Sequence, residues 1–186
     1  MARCMTVCPM GVVKRDILGR VADSIETRCG ISCRVAQAIE NPGYAFNESR
    51  GQYNAKLILN RLEKDCSTDT LRLIAVTPVD LYVPILKYVF GLSQVKGRCA
   101  VISIHRLRPE FYDQPPDLDV LITRTEKTAL HEVAHSLGLT HCREKRCVMY
   151  SSTRIEDTDF KNLDFCPTCR ELFRWYLERR HGRPTP

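Results

Sequence analysis

The alternation of apolar and polar positions predicts a chain that changes character about two thirds of the way along. Residues 4–8, "CMTVC", read as a short strand. Over residues 11–28, Val12, Ile17, Leu18, Val21 and Ile25 recur near helical spacing, and Gly30 follows as a stop signal. "ISCRVA" alternates as a strand does, "NPGYAFNESRG" is a loop, and "YNAKLILNRLEK" returns to the helical period. Three more strands are predicted in "LRLIAVTPVD", "LYVPILKYVFGL" and "RCAVISIHRL". Pro84 lies inside the second and marks it as an edge strand, because proline cannot donate to a ladder on both sides. Strands alternating with helices predict an α/β or α+β class, a mixed, twisted β-sheet with flanking helices.

Beyond the polar loop "RPEFYDQPPDLD", the tetrad "TRTE" fits a capping box, with Thr123 as N-cap and Glu126 reaching back. It predicts a helix over 123–137 that Gly138 ends in a left-handed turn. At about 100° per residue, Leu130, Val133, Ala134 and Leu137 gather on one side of it. His131 and His135 share a neighbouring face, with Glu132 just beyond. Residues 139–165 lose periodicity, and a last helix from about 169 to 180 turns Leu172, Phe173, Tyr176 and Leu177 to one side. The expected organisation is an N-terminal subdomain, 1–138, holding the sheet and the histidine helix, and a C-terminal subdomain, 139–186.

Composition adds limits. At 186 residues, 44% hydrophobic and 27% charged, the chain can bury a real core as an ordinary globular protein. The formal net charge of +6 is mild and reads as solvated surface. No apolar run is long enough to span a bilayer, and the first twenty residues lack a basic leader and a small-residue cleavage site, so a cytoplasmic location is expected. Ten cysteines in such a compartment point to metal ligands or buried thiols before disulfides.

The stretch "HEVAHSLGLTHC", residues 131–142, carries the chemistry. Two imidazoles at i and i+4 on one helix face can share a metal ion, and an open histidine site favours zinc. Gly138 lets the chain turn so that His141 returns as third ligand, leaving a fourth position for water. Zinc lowers the pKa of that water towards ~7, and Glu132 is placed to take its proton and pass it to a leaving amine.

Cys142, Cys147, Cys166 and Cys169 are spaced C-x4-C-x18-C-x2-C, the ligand pattern of a closed structural zinc site. Four thiolates leave no room for substrate, and no carboxylate is available to bridge the two ions. His141 and Cys142 are adjacent, so the second zinc anchors the backbone that presents the third ligand of the first. The remaining cysteines, Cys4, Cys8, Cys29, Cys33, Cys66 and Cys99, read as buried thiols, with disulfides or a further metal as the alternatives.

The string H-E-x-x-H-x-x-G-x-x-H is the zinc signature of the metzincin peptidases. Followed by Cys142, then Cys147-x-Met149 and Cys166-x-x-Cys169, it resembles the archaemetzincins over residues 131–169. That resemblance implies a zinc metallopeptidase with two zinc ions per chain, one catalytic and one structural. It also implies a cleft between a larger and a smaller subdomain, Met149 as a floor beneath the ligand histidines, and a peptide or protein substrate. In such peptidases the substrate pairs with an exposed sheet edge, which on this reading falls within 86–91. The rival reading is a zinc-stabilised module binding peptide or nucleic acid with little turnover, its basic last helix making the contacts. An intact Glu132 weighs against a vestigial histidine site in a nucleic-acid-binding module, since metal binding alone does not require an acid there, but it does not separate a peptide-binding protein of peptidase fold from an active enzyme.

Overall fold

The computed structural model describes residues 4–67 and 69–181. Five strands form the main sheet in the order β2-β1-β5-β8-β7: β1 is Cys4–Pro9, β2 Cys33–Val35, β5 Thr70–Thr77, β7 Gly91–Ser93 and β8 Cys99–Ser103. The first four run parallel, and only β7, at the edge, pairs antiparallel, with Gly91 opposite Ile102 and Ser93 opposite Ala100. A smaller sheet joins β3 (Phe46–Asn47), β4 (Gln52–Asn54) and β6 (Leu81–Tyr82).

Strand periodicity sorts the side chains of the main sheet into two cores. Met5 and Val7 of β1, Ile74 and Val76 of β5, and Ile102 of β8 point towards helices α1 (Arg15–Cys29) and α3 (Leu118–Leu137). Cys8, Ala75, Cys99 and Val101 point the other way, onto Ile58, Leu59 and Leu62 of helix α2 (Ala55–Asp65). Covered on both faces, β5 carries the apolar run Leu73–Val76 after Arg72, as a central parallel strand should. Two helices complete the chain, α4 (Ile155–Phe160) and α5 (Pro167–His181), and Ile155, Phe165 and Phe173 join the α1/α3 core. The fold is the mixed α/β sheet with flanking helices that the pattern predicts.

Several boundaries differ from the pattern. Val12 lies before α1 and is 93% exposed, whereas Ile17, Leu18, Val21 and Ile25 are buried, and Gly30 ends the helix at φ +67°. Helix α3 begins at Leu118, five residues before the capping box: Asp117 is the N-cap, its side chain accepting from the Val120 N–H at 3.0 Å. Thr123 is therefore helix interior, and Glu126 faces Arg20 at 3.7 Å instead of reaching back. The segment 81–92 is not one strand. Residues 83–90 turn away between β6 and β7, so Pro84 precedes the sheet edge and does not lie in it. Leu172 stands exposed on α5, while Phe173 is buried and Tyr176 and Leu177 are partly buried against the core.

What matters for the site is that α3 is locked. Arg72 of β5 donates from Nε to Ser136 Oγ at 3.0 Å. Arg124 grips Asp159 through two hydrogen bonds of 2.7 Å, and Lys127 Nζ donates to the carbonyls of Thr158 and Asp159 at 3.0 and 3.1 Å. Helix α3 is thus bonded to the sheet on one side and to α4 on the other.

Candidate metal centres and catalytic cleft

One turn of α3 separates His131 from His135, and the chain reverses at Gly138, φ +123°, to bring His141 back. A methyl on Gly138 would lie 3.2 Å from the Tyr176 ring, so both the turn and its packing call for glycine. The three imidazoles converge, with ring centroids 4.5, 4.8 and 5.2 Å apart and ligand atoms all within 4.8 Å of one another.

Their hydrogen bonds fix the tautomers. His131 Nδ1 lies 2.8 Å from the Val148 carbonyl and His135 Nδ1 lies 2.7 Å from the Leu139 carbonyl. A carbonyl only accepts, so both Nδ1 atoms carry the proton and both Nε2 atoms are bare lone pairs. Those two Nε2 atoms are 3.0 Å apart. Two lone pairs at that distance repel unless a cation lies between them, and zinc bonds of ~2.05 Å set tetrahedral nitrogens about 3.3 Å apart. Loss of water around the rings lowers the pKa of all three histidines, most for His131, which favours the neutral form a metal needs.

Cys142, Cys147, Cys166 and Cys169 form a second cluster. Cys142 Sγ and Cys166 Sγ are 3.8 Å apart, far beyond the ~2.05 Å of a disulfide. That distance fits the edge of a tetrahedron built on Zn–S bonds of about 2.3 Å. Backbone N–H groups of Met149 and Cys166 point to Cys147 Sγ at 3.5 and 3.3 Å, and that of Glu144 to Cys142 Sγ at 3.3 Å, contacts that favour thiolate. The two clusters share one strip of backbone. Val148 accepts from His131, and Met149, fully buried, accepts the N–H of Cys142 at 2.9 Å.

Between the histidines and edge strand β7 runs a cleft of about 540 Å³, whose lining includes Tyr88, Phe90, Leu92 and Glu132. All of 86–91, the predicted substrate edge, lines it, although only Gly91 belongs to a strand. Glu132 Oε2 accepts from Ser93 Oγ at 2.7 Å. Burial pushes its carboxyl up to about 7, opposed by the Ser93 hydrogen bond and the Lys161 charge. A Cβ on Gly91 would sit 2.8 Å from Glu132 Cγ and 3.0 Å from Oε1, so only glycine lets the edge strand approach this acid.

Ser93 and Lys161 have no spacing signature, and sequence reasoning missed them, while it placed Gly91 in the substrate edge but not against Glu132. The one available signal was a glycine inside an apolar strand pattern, which marks a close backbone approach. The six other cysteines are free thiols in the structure, and burial pushes Cys8 and Cys29 up to about 12.

A histidine cradle, a buried acid and a cleft along a sheet edge define the class of metal-dependent peptidases. The match with peptidase family M54 spans residues 13–174, and the chain belongs to that family. The archaemetzincin of Methanocaldococcus jannaschii is 43% identical over 91% of this chain and 93% of its own length. Among solved structures, the archaemetzincin of Methanopyrus kandleri superposes with a TM-score of 0.84 at 30% identity, covering 95% of this chain and 97% of that one. A zinc-dependent peptidase from Methanocorpusculum labreanum gives a TM-score of 0.84 at 28% identity, covering 91% and 99%. The enzyme class is thereby that of zinc metallopeptidases. No helix among the described residues is long and apolar enough to cross a membrane.

Proposed function

We propose that the chain hydrolyses peptide bonds with Glu132 as proton carrier, that His131, His135 and His141 hold the catalytic zinc, and that Cys142, Cys147, Cys166 and Cys169 hold a structural one. The supporting observation is the pair of bare Nε2 atoms 3.0 Å apart, facing a cleft that also holds a buried carboxyl. Zinc in the histidine cradle supplies positive charge that polarises a carbonyl and eases loss of a water proton near neutral pH. Glu132 does the proton work. Oε2 is engaged by Ser93, which leaves Oε1 to take the proton and return it to the departing amine. A carboxyl pushed up to about 7 has the balanced affinity that taking and giving a proton both require. Edge strand β7 and the segment before it would hold the peptide extended beside these groups, through backbone hydrogen bonds that are largely blind to side chains.

The direct test is hydrolysis of a mixed peptide library by zinc-loaded protein. Cleavage is expected, and a hydroxamate chelator should abolish it. A library left intact, or cleavage indifferent to the chelator, counts against the reading.

Metal analysis should find two zinc equivalents per chain with different lability. The thiolate site is closed and should resist a mild chelator, while the histidine site should exchange first. Because the histidine pKa values lie below the ordinary 6.5, the neutral ligands persist as pH falls, and acid release of the labile ion should set in below pH 6.5. Zinc titrations across pH check this. A single equivalent in fully loaded protein would refute the two-site assignment.

A further inference from the structure

One side of the cleft forms a polar recess whose lining is built differently from the rest. Along 86–95 the wall is mostly apolar, but on the α4 side it is lined by Thr128, Ser151, Ser152, Thr158 and Lys161. Lys161 is 3% exposed, and its Nζ donates to the Tyr150 carbonyl at 3.1 Å. It forms no ion pair among the described residues, so two of its N–H bonds have no acceptor there. Thr158 is 1% exposed, and neither its Oγ1 nor the buried Oγ of Ser152 has a hydrogen-bond partner.

A buried hydroxyl without a partner costs about 1–3 kcal/mol, and a buried ammonium without an anion costs more. These groups are nevertheless held firmly. The Thr158 carbonyl takes the Lys127 ammonium at 3.0 Å, and the next residue, Asp159, is gripped by Arg124. Lys127 and Arg124 lie on the helix that carries His131 and Glu132, so the recess is fixed relative to the catalytic groups. Glu132 and Lys161 act on each other's charge at a distance but form no ion pair within 4.0 Å, and Glu132 Oε2 accepts from Ser93 instead. The recess therefore presents an ammonium and two hydroxyls without partners among the described residues, all able to donate. Their common complement is a carboxylate.

We propose that Lys161, Thr158 and Ser152 form a carboxylate-binding subsite beside the catalytic centre, so that preferred substrates carry an anionic group next to the scissile bond. The proposal rests on the peptidase reading above and deepens it. Two sources supply that chemistry in a peptide, an acidic side chain and the free C-terminal carboxylate. The first makes the enzyme selective for acidic residues, and the second makes it trim short peptides from the C-terminal side.

The test measures binding without bond cleavage. Four matched peptide analogues with a reduced, uncleavable bond carry Glu or Gln after that bond and end in a free acid or an amide. Their affinities are measured by calorimetry for zinc-loaded wild type, Lys161→Met and Thr158→Val. In wild type, one charge-bearing member should bind about 10- to 100-fold more tightly than its neutral partner, the range for a hydrogen bond to a charged group. Preference for Glu over Gln identifies the side chain, preference for acid over amide identifies the C-terminus, and either supports the subsite. Lys161→Met should erase the preference. Thr158→Val should reduce it several-fold without lowering the melting temperature, because the lost hydroxyl has no partner in the protein. That combination separates ligand binding from a structural role. If Lys161→Met fails to fold, the valine variant decides, and an unchanged ratio there overturns the proposal. Equal affinity for all four analogues, no binding by any, or a preference that survives Lys161→Met also overturns it. Charge-selective binding by a protein that cleaves no library peptide supports the subsite and counts against the peptidase reading. Cleavage of the library without charge-selective binding does the reverse.

Discussion

Glu132→Gln should abolish peptide hydrolysis, by about 10²- to 10⁴-fold as for loss of a general acid–base group, while leaving metal content unchanged. The amide keeps the shape of the carboxyl, and its carbonyl oxygen can still accept from Ser93 Oγ, now at 2.7 Å. Stability of the metal-free protein should move the opposite way from activity. The folded carboxyl titrates at about 7 against an ordinary 4.5, so the native state binds more protons than the unfolded chain between those values. Stability is therefore lost as pH rises through that window, and the glutamine variant escapes the loss. At pH 8 its metal-free form should melt no lower than wild type. Turnover at the wild-type rate would remove Glu132 from the mechanism.

Replacing Cys166 and Cys169 together by serine should be the most damaging change to the fold, although neither residue lines the cleft. Loss of a metal site belongs with the changes that cost more than about 4 kcal/mol. The damage should travel along hydrogen bonds. Cys147 Sγ accepts from Met149 and Cys166, Met149 accepts from Cys142, and Val148 accepts from His131. Loosening that strip frees the orientation of His131 and the backbone beside His141 together. Limited proteolysis should cut between 139 and 165, zinc should fall by one equivalent with weakened retention of the second, and hydrolysis should fail. A double variant with normal protease resistance and normal turnover would leave the thiolate cluster without a role.

The convergence of His131, His135 and His141, and that of the four cysteines, was legible because their spacing is a property of the local chain. Spacing along one helix and across tight turns dictates which atoms can meet. The start of α3 was not legible, since Arg124, Glu126 and Lys127 look like solvent-facing residues of a first turn, yet all three are buried. Their charges meet partners far off in the chain, Asp159 for Arg124 and Arg20 for Glu126, and no local pattern contains those pairings. The segment 83–90 misled in the opposite way. Its apolar residues look like a core strand, but Ile85 and Leu86 are exposed, and several of the others line the cleft. The recess was illegible for the same reason as α3: Lys161 and Thr158 gain meaning only from what α3 places beside them.

The chain order of these parts has a consequence for how the enzyme is made. Strand β8 and helix α3 leave the ribosome before Cys166 and Cys169, and domains fold broadly from the N-terminus as synthesis proceeds. While translation is between residues 141 and 166, the three histidines exist but the thiolate cluster that anchors their backbone strip does not. A nascent chain at that stage carries His131, His135 and His141 without the cysteine pair that completes the second cluster. On the zinc assignment proposed above, the strip that presents the histidines gains its anchor only after Cys166 and Cys169 have joined the chain.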